Sequence, residues 1–121
     1  MSAVVLVVDD SATVRQQVGA ALKVSGYTVV EAADGAEGKK RILAGGVACV
    51  ICDVNMPNKN GIEMVEEVKS VPAHKGLPII MLTTEGAPQL VQRAKAAGAV
   101  GWIVKPFKAE LLVAAVRKLI S

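Results

Sequence analysis

Aromatic side chains are nearly absent, with one Trp, one Tyr and one Phe in 121 residues. The hydrophobic fraction is nevertheless 52%, so any core must be aliphatic, built from Val, Ile, Leu and Ala. Charge of one sign is also scarce. The formal net charge is +3, and the basic residues lie scattered among acids except at Lys39-Lys40-Arg41. A nucleic-acid surface needs denser charge interleaved with aromatics, so that cluster reads as a solvated helix face. No uncharged apolar run reaches the roughly 18 residues of a membrane-spanning helix. The opening "MSAVVLVVDD" has no basic segment and meets two acids at once, unlike a secretory signal. A cytoplasmic protein is the expectation. Only two cysteines occur, Cys49 and Cys52. A redox C-x-x-C sits on a strand-to-helix turn, where a helix N-terminus lowers the thiol pKa. Here both lie within "VACVICD", where residues three apart point to opposite sheet faces, as buried structural thiols would. The single histidine, His74, stands alone in a predicted loop and carries no catalytic expectation.

What the chain does have is five β-rich apolar runs: Val4–Val8, Thr28–Ala32, Ala48–Cys52, Pro78–Leu82 and Val100–Val104. They are nearly continuous rather than alternating, the pattern of parallel strands buried on both faces. Helical patterns fill the gaps at Ala12–Val24, Gly35–Ala44, Asn60–Val71, Gln89–Ala97 and Lys108–Ile120. Ser11 is a candidate N-cap, Asp34-Gly35 a turn and Gly98 a C-cap. The last helix carries Leu111, Leu112, Ala115, Val116, Leu119 and Ile120 as an apolar stripe. The order βαβαβαβαβα, with right-handed crossovers, places helices on both faces of one sheet. A length of 121 residues suits one domain, 1–121, with no output domain attached.

In such a sheet the loops leaving the strand C-termini gather along one edge, where ligands bind. The first strand delivers Asp9-Asp10, the third Asp53 and then Asn55, the fourth Thr83-Thr84-Glu85, and the fifth Lys105-Pro106. Three of the four aspartates thus arrive at one edge. Taken singly, each has an ordinary reading as a cap, a local hydrogen-bonder or a surface lysine. Their convergence does not. Two like charges about 4 Å apart repel by about 4 kcal/mol at an effective dielectric near 20. Crowded carboxylates therefore call for a cation, and a small all-oxygen donor set suits Mg²⁺. A carboxylate can also act as a nucleophile toward phosphorus, giving an aspartyl-phosphate. The neighbouring cation, ammonium and hydroxyl can supply the charge neutralisation that phosphoryl transfer needs. Pro57 and Gly61 are expected to shape the loop beneath.

The stretches "VVDDSATVR", "CDVNMPNKNG", "MLTTEG" and "AGAVGWIVKPF" resemble the receiver domain of two-component response regulators, of the single-domain chemotaxis type. The resemblance implies a flavodoxin-like (βα)5 three-layer sandwich with a parallel sheet in the order 2-1-3-4-5. It implies Asp53 as phospho-acceptor, with Lys105 and Thr83 assisting, and Mg²⁺ as cofactor. Asp10, Asp53 and the Asn55 backbone carbonyl would hold the metal directly, and Asp9 through water. Thr83 and Trp102 fall at the switch positions, where Trp102 replaces the usual Tyr or Phe. Asn55 and Glu85 fall where side chains tune dephosphorylation, and the bond before Pro106 is expected to be cis. Asn60 stands where Asp is common in the family. The implied partners are a histidine kinase or phosphotransfer domain, a downstream target such as a flagellar motor switch, and a possible phosphatase. The chain would catalyse only its own phosphorylation and dephosphorylation.

The alternatives are a phosphorelay intermediate and a phosphorylation-independent interaction module. A haloacid-dehalogenase-type phosphatase also uses a strand-end Asp, Mg²⁺, Thr and Lys, but needs D-x-D where this chain has Asp53-Val54-Asn55. A flavin site would need a neutral, hydroxyl-rich loop in place of Asp9-Asp10.

Overall fold

Every strand of the computed structural model is parallel to its neighbours, in the order β2-β1-β3-β4-β5. The structure describes residues 3–56, 59–84 and 86–120. The strands are β1 Val4–Val8, β2 Thr28–Ala32, β3 Cys49–Cys52, β4 Ile79–Thr83 and β5 Gly101–Val104. The helices are α1 Ala12–Val24, α2 Gly35–Leu43, α3 Gly61–Lys69, α4 Pro88–Ala97 and α5 Ala109–Ile120, with a short 3₁₀ turn at Pro72–His74. This is the flavodoxin-like architecture implied by the resemblance.

Alternation along the strands divides the core in two. Leu6, Val8, Val50, Cys52, Ile79 and Met81 pack with Ile42, Ile62, Met64, Val65, Val68 and Ala94, so α2, α3 and α4 cover one face. Val5, Val7, Cys49, Ile51, Ile80 and Leu82 pack with Val18, Leu22, Leu112 and Val116, so α1 and α5 cover the other. Cys49 and Cys52 therefore lie on opposite faces as buried free thiols. Truncating such a buried leucine to alanine typically costs about 2–5 kcal/mol.

Local chemistry sets the element ends. Ser11 accepts from the Val14 N–H to start α1, and Asp34 accepts from Glu37 to start α2. Asn60 and Glu63 form a reciprocal capping box, so α3 begins at Gly61 and Asn60 lies just outside it. Gly98 closes α4 at φ 118, the left-handed region that favours glycine. The expectation that all strands are buried on both faces fails at the edges. β2 and β5 each have a neighbouring strand on one side only, and most of their residues are half-buried or exposed. The broad apolar stripe of α5 is also corrected. Only Leu112 and Val116 are fully buried, while Leu111 is 63% exposed. One helix on a sheet buries a face narrower than six positions. Among the described residues, no helix is long and apolar enough to cross a membrane.

Candidate functional site

Register brings the chemistry together. Val8 pairs with Ala32 and Cys52, so the residues that follow on β1 and β3, Asp9 and Asp53, emerge side by side. The ladder continues past the strands: Asp9 donates its N–H to the Ala32 carbonyl at 3.1 Å, and Asp53 to the Val8 carbonyl at 2.9 Å. On the other side Thr83 pairs with Val104, and the Lys105 N–H reaches the Thr83 carbonyl at 2.8 Å. Four adjacent strands thus aim Asp9, Asp53, Thr83 and Lys105 at one hollow.

Asp9, Asp10 and Asp53 each offer a carboxylate oxygen within 4.8 Å of one another. Asp9 is 2% exposed and Asp53 7%, while Asp10 is open to solvent. Asp9 is held at each of its polar atoms: its N–H by Ala32, Oδ1 by the Ser11 N–H at 2.9 Å, Oδ2 by Lys105 Nζ at 2.8 Å, and its carbonyl by Arg15 Nη1 at 2.6 Å. Asp53 accepts the Val54 N–H on Oδ1 at 2.8 Å and stands 3.4 Å from Lys105 Nζ through Oδ2. The fully buried Thr83 hydroxyl also donates to Asp53. The lysine therefore sits mainly on Asp9.

These surroundings shift the titrating groups. Burial pushes the Asp53 carboxyl above its usual range, and the Asp9 charge pushes the same way. Lys105, Thr83 and the Val54 N–H only partly pull it back. Burial acts to lower Lys105, but its hydrogen bond to Asp9 and the charges of Asp53 and Asp9 outweigh that and hold its ammonium above the usual range. A cluster of carboxylates with one ammonium, and oxygen donors only, fits a hard divalent cation.

The Lys105–Pro106 peptide bond is cis. Asn55 lies in the loop after β3 with an exposed side chain. The expectations for Glu85 and Pro57 fall outside the described residues. Trp102 is half-buried on β5 and packs against the core under α2, α3 and α4. Gly61 is needed for room: a Cβ there would stand 1.9 Å from the Asp53 carbonyl oxygen.

Two contributors escaped the sequence reading. Arg15 grips the Asp9 carbonyl and the Glu31 carboxylate, the latter at 2.9 Å. The signal for it was a cation in the opening turns of α1, where the helix macrodipole disfavours one. Glu67 on α3 joins Lys39 of α2, at 2.8 Å, and Lys59 of the loop before α3. Lys39, read as part of a merely solvated face, helps fasten that loop. Lys59 also accepts the Gly35 N–H on its carbonyl at 3.1 Å.

A doubly wound parallel sheet of this order, with acids on β1 and β3 facing a hydroxyl on β4 and a lysine after β5, defines a signalling receiver module. The profile of the response regulator receiver domain matches residues 5–117, and the chain belongs to that family. It is similar to the chemotaxis protein CheY1 of Helicobacter pylori, 42% identical over 109 residues that cover 88% of each chain. It is similar to a chemotaxis protein CheY homolog of Campylobacter jejuni, 40% identical over 88% of this chain and 84% of that one. The crystal structure of Vibrio cholerae chemotaxis protein CheY4 superposes with a TM-score of 0.92 at 43% identity, covering 98% of this chain and 99% of that one. The chain is a receiver domain of the CheY chemotaxis type.

Proposed function

We propose that this chain is a stand-alone cytoplasmic phosphorylation switch with Asp53 as its acceptor. The carrying observation is the placement of Lys105, 2.8 Å from Asp9 and 3.4 Å from Asp53, with the Thr83 hydroxyl on Asp53. An Asp53 oxygen attacks the phosphorus of a phosphohistidine, the N–P bond breaks, and the imidazole leaves with the electron pair. Asp10, Asp53 and the Asn55 carbonyl would hold Mg²⁺ directly and Asp9 through water, and the cation would neutralise phosphoryl oxygens as charge builds. Lys105 then leaves Asp9 for the incoming phosphoryl oxygens, and Thr83 turns its hydroxyl to the same group. A cleft of about 620 Å³ lined by Val14, Gln17, Thr84, Lys105, Pro106 and Phe107 flanks the lysine and gives a phosphodonor room beside α1.

Withdrawal of Thr83 frees space for Trp102 to turn inward and remodels the α4-β5-α5 face. That face already carries exposed Val104 and Leu111 for a target protein. Driving a switch from 1:99 to 99:1 takes roughly 5.5 kcal/mol of differential stabilisation, which several charge-assisted contacts and a partner can together supply. Water attack on phosphorus, tuned by Asn55 and Glu85, returns the carboxylate and releases phosphate. The partners are a sensor histidine kinase or phosphotransfer domain and a motility target such as the flagellar motor switch.

Labelling by acetyl phosphate with Mg²⁺ tests this. Wild type incorporates phosphate, Asp53→Asn does not, and equal labelling of the two overturns the acceptor assignment.

A further inference from the structure

We propose that Arg15 is a positioning residue for the divalent-cation site, tying the Asp9 main-chain carbonyl to the Glu31 carboxylate and so fixing the turn that presents Asp9 and Asp10. The inference rests on the cation reading above.

Arg15 lies one turn into α1, with its side chain 18% exposed. Its guanidinium donates in two directions, from Nη1 to the Asp9 carbonyl at 2.6 Å and from Nε to Glu31 Oε1 at 2.9 Å. The two acceptors belong to different strands. Asp9 follows β1, and Glu31 lies on β2, paired with Val7. The rigid planar fork of arginine can hold both at once, whereas a lysine ammonium is a point charge on a flexible stem.

The contact matters because of what Asp9 does next. Its carbonyl belongs to the peptide unit that leads into Asp10, the solvent-facing member of the acid cluster. The Asp9 side chain and N–H are already fixed by Lys105, Ser11 and Ala32. Rotation of the Asp9–Asp10 peptide is the freedom left in this turn, and Arg15 removes it. Among the described residues, the Glu31 carboxylate is tied to this turn through the guanidinium that it orients. Loss of an outer-layer group that fixes ligand direction typically costs about 10–100-fold in metal affinity.

Positioning and plain electrostatics predict opposite signs. As a mere positive charge beside a cation site, Arg15 would repel Mg²⁺, and Arg15→Gln would tighten binding. As a positioning group, its loss weakens binding. Calorimetric titration of the full chain with MgCl₂, below the melting temperature of every variant, separates the two. Arg15→Gln is expected to weaken Mg²⁺ binding about tenfold, the lower end of the range for such outer-layer groups. Arg15→Lys, which keeps the charge, is expected to fall close to Arg15→Gln. Glu31→Gln weakens binding by less, and the Arg15→Gln/Glu31→Gln double variant is no worse than Arg15→Gln alone. Glu31 is exposed, so its variant remains informative if Arg15→Gln fails to fold. Tighter binding by Arg15→Gln, full rescue by Arg15→Lys, or lowered melting temperatures with unchanged Mg²⁺ affinity each overturn the assignment. A wild-type chain that takes up no Mg²⁺ overturns the cation reading itself.

Discussion

The two rims of the sheet are built by opposite rules. At the rim where the strands end, Gly61 is present because there is no room. A Cβ on Gly61 would overlap the Asp53 carbonyl oxygen at 1.9 Å and touch Cys52 Sγ at 3.0 Å. At the rim where the strands begin, glycine is present for its backbone. Gly26 sits at φ 95 with nothing within 4 Å of where a Cβ would go. Gly61 is crowded beside the charged residues, and Gly26 is an open turn. Crowding costs stability wherever like charges are held together out of water, and that cost is the signature of a site built for an incoming ligand.

The sharpest way to break the comparison is to add the same atoms to both rims. Gly61→Val must displace main chain and is expected to cost about 3 kcal/mol or more. Gly26→Ala meets only the strain of a positive φ, about 1 kcal/mol. Urea unfolding of the two variants checks this, and equal losses would mean the rims do not differ. Next comes Lys105→Met, which keeps much of the stem and deletes the charge. Asp9 and Asp53 are left facing each other without their shared ammonium, at a cost of about 2 kcal/mol. The same change removes a positive charge from a cation site, so Mg²⁺ binding tightens while phosphorylation slows. Calorimetry and acetyl-phosphate labelling read the two signs.

Asp53→Asn is expected to move stability the other way, upward by about 1 kcal/mol, or a few degrees in melting temperature. Burial and Asp9 hold the Asp53 carboxyl above its ordinary value. A carboxyl raised in the folded state contributes stability that is complete at low pH and lost as the pH rises through its folded value. The wild type is therefore penalised at neutral pH, and its deficit against Asp53→Asn closes as the pH falls toward about 4. Melting curves from neutral to mildly acid pH test this, and a constant gap would show that Lys105 fully offsets the burial.

The charged rim was far more legible in the sequence than its wiring. Asp9, Asp10, Asp53, Thr83 and Lys105 each stand at or just past the end of an apolar run, so strand periodicity alone brings them to one edge. Sheet order came only from the family resemblance, because a βα repeat is compatible with several orders. The primary attachment of Lys105 to Asp9 rather than Asp53 depends on side-chain reach across β4 and β3, which spacing does not encode. Arg15 was missed because its key acceptor is a main-chain carbonyl, invisible to any motif. The α5 stripe was overread because Leu111 and Leu119 are apolar yet face solvent.

The effect silent at neutral pH compares the two thiols, one beneath each face. Cys52 lies directly under the charged rim. Its Sγ donates to the Asp53 carbonyl at 3.2 Å, and burial together with the charges of Asp53 and Asp9 drives its thiol far above the usual range. Cys49 is raised by burial alone, partly offset by a backbone hydrogen bond with Val50, to about 11. A raised thiol contributes stability that is intact below its unfolded value and lost as the pH climbs through the folded one. Loss on the Cys49 account therefore begins near 9.0 and continues to about 11. Within that window one thiol contributes a slope of up to about 1.4 kcal/mol per pH unit. Cys49→Ala removes that share, so its unfolding free energy falls less steeply above pH 9.0 than that of wild type. Urea unfolding at stepped alkaline pH measures both slopes. Identical slopes would mean that Cys49 is not sealed within the core, and that alkaline instability comes from the charged rim alone.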